Sequence, residues 1–285
     1  MTPTFRSGTV TDAIACGQIC YDAFKAIAEQ HNFPPDLPSP DVAVGFLSMM
    51  LARSDVYSVI AELEGQVVGS NFLCEGDTIA GVGPITVAPT TQNAGIGCRL
   101  MKSVLDRAED RRQVGVRLVQ VAYHNRSLSL YSKLGFQARE PLSTIQGPPL
   151  KLALPAYRVR KAIRDDLEVC DVLCRDVHGH DRHGEMVHAI ANGTATVVEH
   201  NGRITGYATD IGYFSHAIGR TNEDLKALIG AASAFTGPGF LLPTRNSELL
   251  QWCLAHGLRV VQPMTLMSLG LYQKPSGAFL PSIFY

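Results

Sequence analysis

Apolar residues recur along this chain in two alternating periods. Residues 11–30 and 41–53 carry them at helical spacing, separated by a proline-rich loop at 34–40. Runs rich in β-branched residues follow at 57–63 and 67–74, with Glu64-Gly65 as the turn between them. A strand is expected near 79–88, then a helix over about 95–113 with Leu100, Met101, Val104, Leu105 and Ala108 on one face. The segment 116–122 is apolar enough to be a central strand, and the helix at 125–134 is stopped by Gly135. With a short strand at 5–10, these hairpins and strand–helix–strand units predict an α/β fold: a mixed, mainly antiparallel twisted sheet flanked by helices. The stretch 142–155, with Pro148, Pro149 and Pro155 among two strand-like pieces, is expected to close this unit and lead to another.

The same pattern returns in the second half. Cys16 and Cys20, four apart, reappear as Cys170 and Cys174, and the offset of 154 also matches Arg6 with Arg160, Asp12 with Asp166 and Asp22 with Asp176. IAELEGQVVG (60–69) resembles VVEHNGRITG (197–206) at an offset of 137, and NRSLSLYSKLGF (125–136) resembles NSELLQWCLAHGL (246–258) at 121 to 122. Three blocks in one order predict two copies of one fold in tandem, residues 1–150 and 156–285. The cysteine pairs lie on one helix face and read as buried thiols rather than metal ligands.

Composition narrows the function. With 25 basic and 26 acidic residues and no long basic run, nucleic-acid and membrane-surface partners are not expected. No apolar run approaches the ~20 residues of a membrane span. Seven cysteines without CxxC spacing fit reduced thiols, and a cytoplasmic location is expected.

The candidate chemistry centres on TVAPTTQNAGIGCRLM (86–101), where a strand passes through two glycines into a helix. The first four N–H groups of a helix lack internal partners and, with the helix dipole, attract anions. Gln92, Asn93, Ala94, Gly95, Ile96 and Gly97 can therefore be read as a phosphate cradle, with Arg99 and no acidic residue in the first helical turn. A nucleoside-triphosphate loop would need Lys-Ser/Thr after the turn, and Cys98-Arg99 stand there. A dinucleotide fingerprint would need a third glycine where Leu100 stands. On these six residues alone, a plain helix start with an incidental glycine pair stays open.

VAPTTQNAGIGCRLM and, some thirty residues on, NRSLSLYSKLGF resemble the two signatures of the GCN5-related N-acetyltransferase (GNAT) family, over about residues 1–150. The resemblance implies the acyl-CoA N-acyltransferase fold, with acetyl-CoA as co-substrate and no metal. It also implies transfer of an acetyl or short acyl group to a primary amine by direct attack. Backbone groups of Ile85 and Val87 would pair with the pantetheine arm, and Gln92 to Cys98 would hold the pyrophosphate. Asn125 would touch the pantetheine amide, and Tyr131 would donate a proton to the departing thiolate. For Asn125 the competing reading is a helix N-cap, and for Tyr131 a packing residue. Glu75, Asp77 and His124 are candidate bases by position. Cys98 invites a nucleophile reading, because helix N-termini lower thiol pKa; the resemblance implies direct transfer instead.

In the second copy the matching helix opens at Thr221-Asn222-Glu223-Asp224, a Thr-x-x-Asp capping pattern in place of the cradle. Tyr131 maps onto Trp252 or Cys253. This half is expected to be a degenerate GNAT-like domain without cofactor. His178, His180, His183 and His188, with Asp181 and Glu185, fall between its first two helices. They read as a solvated loop, an acceptor contact or a metal site. The expected partner is a small-molecule or peptide amine acceptor, and a homodimer is compatible with the sequence. A non-catalytic acyl-CoA-binding or sensor protein is the alternative.

Overall fold

The computed structural model describes residues 2–284. By packing, one unit runs to Leu118 and includes His124–Gly135; the other comprises Val119–Tyr123 and the chain from Phe136 on.

The first unit contains β1 (Thr4–Ser7), α1 (Ala13–Gln30), α2 (Pro40–Ala52), β2 (Val56–Leu63), β3 (Gln66–Cys74), β4 (Ala80–Val82), β5 (Thr86–Val87), α3 (Ile96–Asp110), the start of β6 (Gly115–Val121) and α4 (Asn125–Lys133). Helix α2 starts where Ser39 accepts a hydrogen bond from Val42 N, with Pro40 in the first helical position. The β2–β3 hairpin turns at Glu64 and Gly65, both at positive φ (54° and 76°), which matches the strands' right-handed twist. Strands β1, β2 and β3 pair antiparallel in succession; β4 and β5 each pair antiparallel to β3, and β6 joins β4 in parallel. Phe72, Leu73 and Ile60 of the sheet, Leu47 and Met50 of α2, and Leu100 and Met101 of α3 are fully buried, so β3 buries side chains on both faces of the sheet and each helix turns an apolar face inward.

The second unit contains β7 (Gln137–Gln146), β8 (Tyr157–Lys161), α5 (Leu167–His178), α6 (His183–Ala191), β9 (Thr196–His200), β10 (Arg203–Ala208), β11 (Ala217–Gly219), α7 (Asn222–Ala231), β12 (Phe240–Pro243), α8 (Ser247–Ala255), β13 (Arg259–Gly270) and β14 (Ala278–Leu280). Five strands form an antiparallel sheet in the order β14–β11–β10–β9–β8. Strand β7 lies between β12 and β13, antiparallel to both. The sequence divides the chain after residue 150. Packing assigns Phe136–Leu150 to the second unit, because β7 finds its hydrogen-bond partners on both edges there and buries Leu142, Ser143, Thr144 and Ile145.

The internal repeat is visible as repeated contacts. Arg6 binds Asp12 and Glu62, each at 2.7 Å; Arg160 binds Asp166 at 2.7 Å and Glu199 at 2.6 Å. Gly69 and Gly206 occupy matching strand crossings: a Cβ on Gly69 would meet Thr86 O at 2.7 Å, and one on Gly206 would meet Ile218 O at 2.5 Å. Helices α4 and α8 match at an offset of 122 from first residue to last, and the glycines that follow, Gly135 and Gly257, both have positive φ (93° and 82°). That register pairs Tyr131 with Cys253, not Trp252, and Arg126 with Glu248. Cys16 and Cys20 are buried on α1 as Cys170 and Cys174 are on α5, and all four are free thiols. Burial pushes Cys16 up to about 11 and Cys170 and Cys174 up to about 12, so none is a thiolate near neutral pH.

Candidate active site

The sequence predicts one strand over 79–88; the structure breaks it. Val82 lies opposite Leu73 and Thr86 opposite Ser70, so three residues (83–85) face two (Asn71 and Phe72). One residue is extra, which makes this a bulge. Gly83, at φ 137°, keeps its N–H on Phe72 O at 2.9 Å. On the other side, β4 pairs with β6 at Ala80↔Val116 and Gly81↔Arg117 only. Ile85, half-buried, therefore sits in the bulge, outside any ladder. Val87 pairs with Gly69, and its carbonyl also accepts a bond from Gln92 Nε2 at 3.3 Å.

From Val87 the chain passes through Pro89–Thr91 to a loop in which Asn93 (φ 70°) and Gly95 (φ 76°) are left-handed. Gly95 is the N-cap of α3, and no side chain caps that helix. The amides of Ile96, Gly97 and Cys98 thus open the helix without a side-chain acceptor, and no acidic residue stands in the first turn. Asn93, Ala94, Gly95 and Cys98 are exposed. Ile96 is the exception: its side chain is core, so its backbone alone faces the loop. The two glycines have different reasons. Gly95 answers to its φ. At Gly97, a Cβ would find Leu130 and Val87 at an ordinary 3.8 Å, so neither packing nor conformation demands glycine there.

Helix α4 brings a residue that sequence reasoning passed over. Arg126 donates to Gln92 Oε1 at 3.2 Å and to Asn93 Oδ1 at 2.8 Å, reaching onto the cradle from its second helical position. The available signal was a cation beside the Asn of the second motif. Asn125 is the first helical residue and exposed; His124 is the N-cap, and no side chain caps this helix, so the capping reading of Asn125 does not hold. Tyr131 is buried, 6% exposed, and burial raises its phenol well above the ordinary value, which keeps it protonated. His124 is pulled below the ordinary imidazole value, by burial first and then by Arg126 and His31, so it is neutral at pH 7. Glu75 is committed elsewhere. It accepts Arg107 Nε and Nη2 at 2.9 and 2.6 Å and fastens the last turn of α3 to the end of β3. Asp77 lies half-buried in the β3–β4 turn, at the end of β4 away from the cradle.

In the second unit, α7 follows Gly219 with only Arg220 and Thr221 between, so the cradle segment has no counterpart. Thr221 N and Oγ1 donate to Asp224 Oδ2 at 2.9 and 3.0 Å, the capping box expected from the sequence. The histidine segment divides: His178 and His180 are each 5% exposed and stacked on one another, whereas His183 and His188 are exposed. His183 is bonded to Asp171 at 2.7 Å. Among the described residues no group of three or more His, Cys, Asp or Glu is arranged to hold a metal. Nor is any helix among them long and apolar enough to cross a membrane.

Residues 54–138 match a family model described as an acetyltransferase (GNAT) domain. Solved structures extend the likeness to the whole chain. A provisionally assigned acetyltransferase from Pyrococcus horikoshii is 17% identical, with 97% of this chain and 94% of that one covered at a TM-score of 0.73. A GCN5-related N-acetyltransferase from Sphaerobacter thermophilus is 13% identical, with coverage of 95% and 96% at 0.61. A tandem GNAT protein from the clavulanic acid biosynthesis pathway is 15% identical, with coverage of 99% and 100% at 0.57. At such identities the shared property is the fold: two GNAT-like copies in tandem. No curated protein matches this chain.

Proposed function

We propose that the first unit is an acyl-CoA-dependent N-acyltransferase that moves an acetyl or short acyl group to a primary amine by direct attack. The observation that carries this reading is the uncapped start of α3 behind two left-handed residues, within a segment that matches an acetyltransferase family. Bare amides, a helix dipole and two arginines without carboxylate partners among the described residues, Arg99 and Arg126, suit a diphosphate. Gln92 to Cys98 would hold it. The bulge at 83–85 leaves strand edge near Ile85 and Val87 for an extended arm, and exposed Asn125 would touch its amide.

Acyl-CoA, when bound, supplies the activated thioester carbonyl. The amine forms the C–N bond and the C–S bond breaks, with its electron pair leaving on sulfur. Tyr131, kept neutral by burial, gives its proton to that thiolate. His124, neutral at pH 7, takes the proton the amine must lose. Cys98 plays no covalent part, since the cradle's occupant would cover it. The second unit, with its own cap at α7, holds no cofactor.

The test is an amine panel with acetyl-CoA scored by free-thiol release, run on the wild type and Tyr131→Phe. The reading expects release with at least one amine class. Y131F should lose turnover while keeping CoA affinity. CoA binding without release for any amine would convert the protein to an acyl-CoA sensor.

A further inference from the structure

The two copies carry opposite charges at one structural position. In both, the second residue of the later helix reaches toward the start of the earlier one. In the second unit this residue is Glu248, which accepts Asn222 Nδ2 at 2.8 Å and Lys226 Nζ at 2.7 Å. Asn222 and Asn246 also exchange amide bonds, at 3.1 and 2.7 Å. With Asp224 in the capping box, that helix start is closed by the chain's own anions. In the first unit the same residue is Arg126, and its partners are two neutral amide oxygens, on Gln92 and Asn93. No carboxylate pairs with it among the described residues, although it is exposed and lies over an uncapped helix start. A guanidinium held in place with its charge unanswered is prepared for an anion, and its planar fork suits phosphate oxygens.

We propose that Arg126 is a binding residue for the diphosphate of CoA, completing the cradle from α4 while Gln92 and Asn93 hold its side chain in position. The inference rests on the acyl-CoA reading above and adds a side-chain cation to a site otherwise made of backbone. At Glu248 the same position instead adds a carboxylate to a helix start that the chain closes itself.

The experiment is calorimetric titration of the full chain with CoA, dephospho-CoA and pantetheine. Arg126→Ala should weaken CoA and dephospho-CoA alike by about 10- to 100-fold and leave pantetheine unchanged. Arg126→Lys, which keeps charge but cannot bridge both amides, should recover most of the loss. Arg126→Glu, which copies the second unit, should be weaker than Arg126→Ala. An affinity within twofold of wild type in Arg126→Ala would overturn the proposal. So would a loss for CoA but not dephospho-CoA, which would move the contact to the 3′-phosphate. Arg126→Lys as weak as Arg126→Ala would reduce the residue to a latch for the loop. Wild type that binds neither nucleotide would sink the acyl-CoA reading itself. Arg126 is exposed, and a thermal melt unchanged from wild type separates lost binding from lost folding.

Discussion

Two helix starts, α3 and α7, occupy equivalent places in two copies of one fold, and they solve the same problem in opposite ways. Each has amides with no intrahelical acceptor. At α7 the chain answers with Thr221 and Asp224, and Glu248 adds a second carboxylate. At α3 it offers Gly95 as cap, no acid in the first turn, and Arg126 across the loop. Elsewhere the copies keep the same internal contacts: the Arg6–Asp12–Glu62 and Arg160–Asp166–Glu199 clusters and the Gly69 and Gly206 crossings. Shared fold-holding contacts with a divergent helix start separate what the scaffold requires from what a ligand requires.

The comparison can be broken or sharpened in order of expected effect. Tyr131 corresponds in helix register to Cys253 of the other copy, so the shared scaffold does not itself require a tyrosine there. Tyr131→Phe should lower kcat by about 10²- to 10⁴-fold in steady-state assays, with KM for acetyl-CoA little changed. A loss carried by CoA affinity would make Tyr131 a packing residue like its counterpart.

Gly97→Ala comes next. The added methyl meets nothing of the chain closer than 3.8 Å. Its stability should therefore rise by about 0.5 kcal/mol, since alanine is the better helix former. CoA affinity should fall about tenfold, as the methyl stands where phosphate oxygens approach. Both readouts, a denaturant titration and a binding isotherm, must move in opposite directions.

Asp224→Ala tests the other helix. It removes the cap and should cost about 1–2 kcal/mol by chemical denaturation, with CoA affinity unchanged. Altered CoA binding would place a cofactor at the second unit after all.

The pH dependence follows from two groups. In the proposed reaction His124 acts as a neutral base, and its folded pKa lies below the ordinary value. kcat/KM should therefore hold as pH falls through 6.5 and decline only below it, and His124→Gln should remove that limb. The repeated arginine clusters give the smallest effect. Asp12 is held down to about 2, by Arg6 first, against the opposing cost of burial, and Arg160 lowers Asp166 in the same way. A folded pKa below the unfolded one means that the stabilisation is complete above about pH 4 and lost as pH falls toward 2. Asp12→Asn and Asp166→Asn should each cost about 1 kcal/mol at pH 7, since both arginines are partly solvated. The cost should shrink as acid urea titrations approach pH 2.

The sequence alone determined the elements, the repeat, the helix-start chemistry and the motif residues. The helix signals are written within a few neighbouring positions: Thr221-x-x-Asp224 caps α7, and the spacing of Leu100, Met101 and Val104 states a buried face. The strand pattern over 79–88 could not reveal its break, because a bulge is a mismatch of register with a partner strand, not a feature of one strand. The division after residue 150 followed sequence order, whereas β7 packs with β12 and β13, roughly a hundred residues on, because a period of two says which face is buried and not which edge will pair. Arg126 sat in plain view in the second motif. Only the fold placed it over Gln92 and Asn93, and only the fold set Glu248 in the same position in the other copy, because charges from distant segments meet through packing.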